Sequence, residues 1–428
     1  MKKSFKISNK LYNRASKTIP LATQTFSKSS LQWPLGASPM FFEKANGCNI
    51  YDVDGNKYID YLLALLPIIL GYKDKDVDQA VKNQINKGVI FSMSHPIEIE
   101  LAEKLKTLIP YAEMVRFGKN GSDVLSAAIR LARAYTKKDL VLVSGYHGWH
   151  DWFIGSTTRN AGVPRAVRGL TKKFQFNDIE SLIYNIKKFN NKIAAVVLEP
   201  DGLVAPDISF LKELKRICGK KGILIIYDEI VCGFRTSLGG ASEKYKIQPD
   251  LGCFGKSLGN GYPISAIVGK KKIMNLMKDV FVSGTYAGET LSMAAALATL
   301  TKLQKLRVPN ELSKLGSKLK NFTNKTLKDL ELIDVIEFAG NDWWPRLIIK
   351  KSNQSFVLHL IRQEFIKNGI FMGSSFNLCL AHKNTDITKI TFDKIGQSFL
   401  KVKNILSKKN PHNFLEGTKL KSIFSVRG

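Results

Sequence analysis

The 428-residue sequence predicts an α/β fold, with a largely parallel sheet covered by helices and a smaller α+β part. Three observations predict it. From about Asp76 onward, short β-branched runs bounded by turn residues alternate with longer helical stretches. Beyond about Leu306 the strand-like runs become sparser and lysine frequent. Small-residue turns follow several of the strand-like runs, where open α/β sheets gather their ligand-binding loops.

Taken in order, residues 1–35 read as a helix followed by an irregular arm. FFEKANGCNIYDVDGNKYIDY (Phe41–Tyr61) alternates apolar and polar residues around Asp54-Gly55, a hairpin signal. Helices are expected at Ile97–Ile109, Asp123–Tyr135, Asp207–Lys220, Thr290–Leu306 and Phe356–Lys367. Strands are expected at Leu140–Val143, Ile193–Leu198 and Ile223–Tyr227. The domain reading is an N-terminal arm and hairpin (1–75) belonging to a small domain, a large ligand-binding domain (76–306), and a C-terminal small domain (307–428).

Composition narrows the class. Hydrophobic residues make up 44% and charged residues 24%, the balance of a globular protein. The most apolar run, Tyr61–Tyr72, is interrupted by Pro67 and falls short of the about 20 residues a membrane span needs. The basic start MKKSFKISNK is not followed by a signal-length apolar stretch, so a cytoplasmic location is expected and a membrane partner is not. Five cysteines, Cys48, Cys218, Cys232, Cys253 and Cys379, show no CxxC spacing and read as small buried residues. The net charge of +29 raises the question of nucleic acid. Its lysines are scattered in short groups such as Lys270–Lys272, without a basic-aromatic module, and read as solvated faces. A basic nucleic-acid-binding protein stays as the alternative of another class.

Four motifs carry the chemistry. GKNGSD (Gly118–Asp123) follows a strand-like MVRF and enters a helix, presenting backbone N–H groups to a phosphate; the same residues also make an ordinary cap. GYHGWHDW (Gly145–Trp152) gathers aromatics and two histidines at a strand end, with Tyr146 as a ring to stack on a planar cofactor; packing is the alternative, and no metal site of zinc-protease spacing is present. ILIIYDEIVCGFR (Ile223–Arg235) drives an apolar strand into Asp228-Glu229. A buried carboxylate needs a cation, which a protonated pyridine nitrogen would supply; a metal-binding acid pair is the alternative. PDLGCFGKSLGNGYPISAIVG (Pro249–Gly269) sets Lys256 among apolar residues and glycines, where an amine can act as a nucleophile toward an aldehyde.

Taken together, these motifs and their neighbours YDVDGNKYIDY, EMVRFGKNGSDVLSAAIRLARAYT, AAVVLEPDG and SGTYAGETLSMAAALATL identify a resemblance covering roughly residues 30 to 385. The chain resembles the class III pyridoxal 5′-phosphate (PLP)-dependent aminotransferases, within them the glutamate-1-semialdehyde 2,1-aminomutase-like branch. The resemblance implies PLP transferase fold type I, with a mostly parallel seven-stranded sheet. It implies Lys256 as the Schiff-base lysine and general acid–base, and Asp228 on the pyridine nitrogen. Ile230 and Tyr146 would flank the ring. Gly121, Ser122 and the Asp123 amide would hold the phosphate, and Glu199 would lie near the exocyclic oxygen. It further implies a homodimer with shared active sites, in which Gly284 and Thr285 reach the phosphate of the second subunit.

Two departures bear on the substrate. The aminomutases place an arginine in the N-terminal arm, where this chain has TQTFSKSSLQWPLGASP. They also carry a glutamate in a C-terminal stretch that here reads MGSSFNLCLAH (Met372–His382). The expected reaction is therefore transfer between a small-molecule amino donor and a carbonyl acceptor, sugars among the candidates, with the intramolecular aminomutase reaction as the alternative. Lys28, Trp33, Trp149, His150, Trp152 and Arg159 are the substrate-side candidates, and Arg235 reads as structural.

Overall fold

The β-branched runs of the central chain become neighbours in one sheet. The computed structural model of the protein describes residues 3–350 and 353–420. Its strands are β1 (Phe42–Asn46), β2 (Asn49–Asp52), β3 (Lys57–Asp60), β4 (Met114–Gly118), β5 (Leu140–Ser144), β6 (Thr171–Lys173) and β7 (Ile193–Leu198). They continue with β8 (Leu224–Asp228), β9 (Leu251–Phe254), β10 (Ser265–Gly269), β11 (Ile336–Ala339), β12 (Arg346–Ile349) and β13 (Ile370–Phe371). Seven form a sheet in the order β4-β10-β9-β8-β7-β5-β6. The pairs β5/β6, β5/β7, β7/β8 and β8/β9 are parallel, and β10 runs antiparallel between β9 and β4.

Every residue of β7 and β8 is buried, as expected of parallel strands covered on both faces. Alternation then decides which face each side chain serves. Val141, Val143, Ala195, Val197 and Ile226 pack on one side against Leu125, Ala128, Ile129 and Ala132 of helix Gly121–Thr136. Leu142, Val196, Leu198, Ile225 and Tyr227 pack on the other against Leu182 and Ile186, and against Leu211 and Leu214 of helix Ile208–Lys221. That helix starts on an Asp207 cap and ends on Gly222, whose φ of +62° suits a glycine.

Within the described residues the chain divides into two compact units. The larger comprises residues 66–69 and 74–310 and holds the seven-stranded sheet; the smaller comprises residues up to 65, 70–73, and those from 311 on. Residues 66–69 join the larger unit for a physical reason. The wholly buried Arg235 guanidinium donates to the Leu66 and Ile68 carbonyls at 2.7 and 3.1 Å, and the Ile69 N–H donates to Asn260 Oδ1 at 3.0 Å. Arg235 is thus structural.

The smaller unit has the sheet β1-β2-β3-β13, with the hairpin turning at Gly55 (φ +82°), and the pair β11-β12. All five cysteines are buried and form no disulfide. No helix among the described residues is long and apolar enough to cross a membrane.

Candidate active site

The site is built where parallel strands end. Strand β5 runs into Gly145–Gly148, β7 into Glu199, β8 ends on Asp228, and β9 is followed by Lys256. Antiparallel pairing to β10 on both sides makes β4 run the same way as β9, so β4 delivers Gly118–Asp123 to the same edge. Residues far apart in sequence therefore line one cavity of about 360 Å³, among them Gly121, Ser122, Tyr146, Glu199, Asp228, Ile230 and Lys256.

Asp228 is 3% exposed, and its carboxylate is held from two sides. Oδ2 lies 2.8 Å from His147 Nδ1, and Oδ1 accepts the Ile230 N–H at 3.1 Å. The other ring nitrogen of His147 lies 3.1 Å from the Ser144 carbonyl oxygen, so the fully buried imidazole is fixed at both ends. Sequence reasoning treated His147 only as packing or a possible metal ligand. The structure makes it the orienter of the site's buried acid.

Glycines shape the rest. Ile230 sits against Gly121 and Gly255: a Cβ on either would come within 3.1 Å of its side chain. Gly148 has φ +92°, and a Cβ there would fall 2.3 Å from Ser122 Oγ, so only glycine admits the contact between the two motifs. Trp149 N–H donates to the same hydroxyl at 3.3 Å. Helix Gly121–Thr136 begins with a reciprocal cap. Asn120 Oδ1 accepts the N–H groups of Ser122 (2.9 Å) and Asp123 (3.3 Å), and Asp123 Oδ2 accepts the Asn120 N–H (2.9 Å). The Asp123 amide is thus shared with Asn120, a partner that sequence reading passed over. Glu199 is 8% exposed and accepts the Tyr146 N–H at 3.2 Å. Lys256 opens a tight turn, Lys256–Gly259, with φ +41°, a costly conformation for a non-glycine residue that concentrates at functional sites.

Glu229 is sent elsewhere. It accepts the Ala241 N–H at 2.8 and 3.1 Å and lies 2.9 Å from Cys232 Sγ. Adjacent acids at a strand end face opposite ways, so Asp228 and Glu229 do not converge on one ligand. Burial pushes the Glu229 carboxyl up to about 7, against the hydrogen bonds from Cys232 and Ala241 that lower it. The folded chain then binds this proton more tightly than the unfolded chain does. Its contribution to stability is present at low pH and lost as pH rises from the ordinary carboxylate range through about 7. Glu229→Gln should flatten that loss by a few kcal/mol, on the order of what such a shift allows. Denaturant unfolding at about pH 5 and pH 8 checks it; parallel losses in both proteins would refute the assignment.

The substrate-side candidates fare unequally. Trp149 lines the cavity and is 67% exposed. Trp152 does not: it is 8% exposed in the apolar core, its indole N–H donating to Ser126 Oγ at 3.2 Å, which corrects the substrate reading. His150 lies 2.7 Å from the same hydroxyl through Nδ1 and is not in the lining. Arg159 is exposed and also outside the lining. Lys28 and Trp33 belong to the smaller unit, where Lys28 is exposed and Trp33 is buried against Phe371 with ring centroids 4.5 Å apart, a packing role. Gly284 and Thr285 are exposed and outside the cavity of their own chain. Lys119, Tyr262 and Pro67, none of them a site candidate in the sequence, also line it.

The cavity suits a flat ring bearing a phosphate. It offers a helix start with Ser122, close-approach glycines, a branched apolar floor at Ile230, a buried carboxylate and an amine. Comparison with known proteins agrees. The family model "Aminotransferase class-III" matches residues 34–341. A 3-aminobutyryl-CoA aminotransferase of Cloacimonas acidaminovorans is 34% identical, over 87% of this chain and 91% of its own. A glutamate-1-semialdehyde 2,1-aminomutase of Hyperthermus butylicus is 33% identical, over 93% and 99%. Among solved structures, the FumI protein of Sphingopyxis sp. MTA144, with PLP, superposes with a TM-score of 0.89 at 28% identity, covering 95% of this chain and 99% of that one.

Proposed function

Because the chain belongs to the class-III aminotransferase family of PLP enzymes, we propose that it is an intermolecular aminotransferase, passing an amino group from a small donor to a small carbonyl acceptor. The observation that carries this reading is one cavity holding Lys256, Asp228, Ser122, Ile230 and Tyr146 together. When bound, PLP supplies an aldehyde that condenses with amines and a ring that delocalises the electron pair left at the substrate carbon.

The chain's own residues then have assignable tasks. Gly121, Ser122 and the Asp123 amide hold the phosphate at the helix start. Ile230 and Tyr146 confine the ring, and Asp228, oriented by His147, keeps a proton on the ring nitrogen. Glu199 takes the exocyclic oxygen side. Lys256 would anchor the cofactor, and once the incoming amine has displaced it, its freed Nζ would take the proton from the substrate carbon that bears that amine. Among the described residues lining the cavity there is no arginine, and its cations are Lys119 and Lys256. Acceptors without a carboxylate to clamp, sugars among them, fit that lining.

The names of relatives such as the Hyperthermus aminomutase favour a second reading, intramolecular transfer within one semialdehyde. A homodimer is part of the proposal. Apolar side chains stand exposed at Phe91 (43%), Met93 (84%), Phe281 (79%) and Tyr286 (65%), and Thr290 ties the two segments through the Val89 and Gly88 carbonyls. Buried cysteines that form no disulfide fit a reducing compartment such as the cytoplasm.

The test adds amino donors one at a time to the PLP-loaded protein and follows the visible absorption of the lysine-bound cofactor. A donor should bleach it, a carbonyl acceptor should restore it, and initial-rate lines should be parallel. Turnover of a single aminoaldehyde without any second substrate would instead establish the aminomutase.

A further inference from the structure

The exposed loop carrying Gly284 and Thr285 is gripped at both feet, and every gripping cation comes from the stretch that builds the phosphate cup. Arg130, on helix Gly121–Thr136, donates to the Phe281 carbonyl at 2.6 Å. Arg116, on β4, donates to the Val282 carbonyl at 2.9 Å. At the far foot Lys119 Nζ lies 2.7 Å from Glu289 Oε2, with the two side chains only 22% and 14% exposed. Residues 283–286 between the feet are exposed.

Glu289 is not free to follow Lys119. It caps helix Thr290–Lys305 by accepting the N–H groups of Leu291 and Ser292, and it accepts the Ser292 hydroxyl at 2.6 Å. Burial alone would raise its carboxyl, yet the hydrogen bonds from Lys119 and Ser292 hold it below the ordinary range. Lys119 lines the cavity, and its N–H donates to Asp123 Oδ2 at 3.2 Å inside the cup. One lysine thus belongs to the cup by its backbone and to the loop by its ammonium.

We propose that Lys119, with Arg116 and Arg130, is a positioning residue that registers the projecting loop against its own subunit's phosphate cup, so that the loop is offered pre-formed to the cofactor of a second copy of this chain. The inference rests on the proposed dimer, in which Gly284 and Thr285 serve the second subunit's phosphate. Ordering a free loop at each binding event costs entropy, and a loop held at both feet has already met that cost. The grip therefore strengthens cofactor binding at the other subunit's site.

A simpler role for Lys119 would be attraction of its own subunit's phosphate, and the two roles predict opposite signs. Glu289→Gln keeps an oxygen to cap the helix but removes the ion pair. If the pair positions the loop, PLP should bind about fivefold more weakly, the scale of a partly exposed ion pair. If Lys119 simply attracts its own phosphate, freeing the ammonium should tighten binding. Arg130→Met should weaken binding in the same direction as Glu289→Gln.

Mixed dimers locate the effect. One pairs a Lys256→Ala/Glu289→Gln subunit with a wild-type subunit, and the other pairs a Lys256→Ala subunit with a Glu289→Gln subunit. PLP titration followed by lysine-dependent absorption should show the loss only in the first, where the altered loop belongs to the opposite chain. Tightened or unchanged binding, or a loss confined to the second pairing, overturns the proposal. Sedimentation of the wild-type holoenzyme separates the layers: a monomer removes the dimer reading and this inference with it, whereas a dimer with the wrong pairing removes the inference alone.

Discussion

Lys256→Ala should abolish amino transfer while leaving a protein that folds and still takes up the cofactor. Proton transfer by a positioned group is worth about 10²–10⁴-fold, and loss of the anchoring amine adds to that, so a fall beyond about 10³-fold is expected. Other residues of the cavity have supports of their own. Ile230 rests on Gly121 and Gly255, Asp228 on His147, and Ser122 on Gly148. Alanine must adopt the same φ of +41° as Lys256, so the turn's backbone strain is unchanged and stability should move little. The visible band of the lysine-bound cofactor should disappear, although PLP stays bound non-covalently. Lys256→Arg should not rescue, since a guanidinium stays charged and is no nucleophile at neutral pH. A small exogenous amine should restore part of the rate. An alanine variant that keeps its colour and more than about a tenth of the activity would remove Lys256 from the mechanism and open the search for another amine in the cavity.

What the sequence made legible follows from which signals are local. Periodicity and turn chemistry placed Ile193–Leu198 as a strand at the bounds the structure shows, and helix Gly121–Thr136 within two residues at its start. The motifs themselves were legible because glycines and acids at strand ends are local events. Pairing was not. SAIVG reads as one more short apolar run, and nothing within it says that β10 lies antiparallel between β9 and β4. The contact between His147 and Asp228 depends on β5 and β8 flanking β7, an order no short window of residues encodes. GYHGWHDW misled in one place for a physical reason: the chain enters a short helix at Asp151, which carries Trp152 into the core while Trp149 stays at the cavity. Asp228 and Glu229 divided for a similarly local reason. A strand end gives successive side chains opposite directions, so adjacent letters received different environments.

Asp228→Asn is expected to have the next largest effect, and it tests the proposal at the opposite end of the ring. Asparagine matches aspartate in shape, and its Oδ1 can still accept the Ile230 N–H that Asp228 accepts at 3.1 Å. What it lacks is the negative charge. A carboxylate only 3% exposed is stable in the apolar interior because hydrogen-bonded partners and a cation offset its desolvation. On the proposed reading, that cation is the protonated ring nitrogen, and a neutral amide cannot hold the proton there. A preorganised electrostatic contact of this kind is worth about 10²–10³-fold in kcat. His147→Phe should cost less, about tenfold, because the charge remains while its 2.8 Å orienting contact is lost. The two variants should also differ in kind. Asp228→Asn should lower kcat and weaken PLP binding, whereas His147→Phe should lower kcat alone and leave binding within a few-fold. Single-turnover kinetics with a bleaching donor separate the chemical step from binding. If Asp228→Asn turned over within a few-fold of wild type, its carboxylate would serve only to seat His147. The ring would then have to lie in the cavity with its nitrogen facing another group.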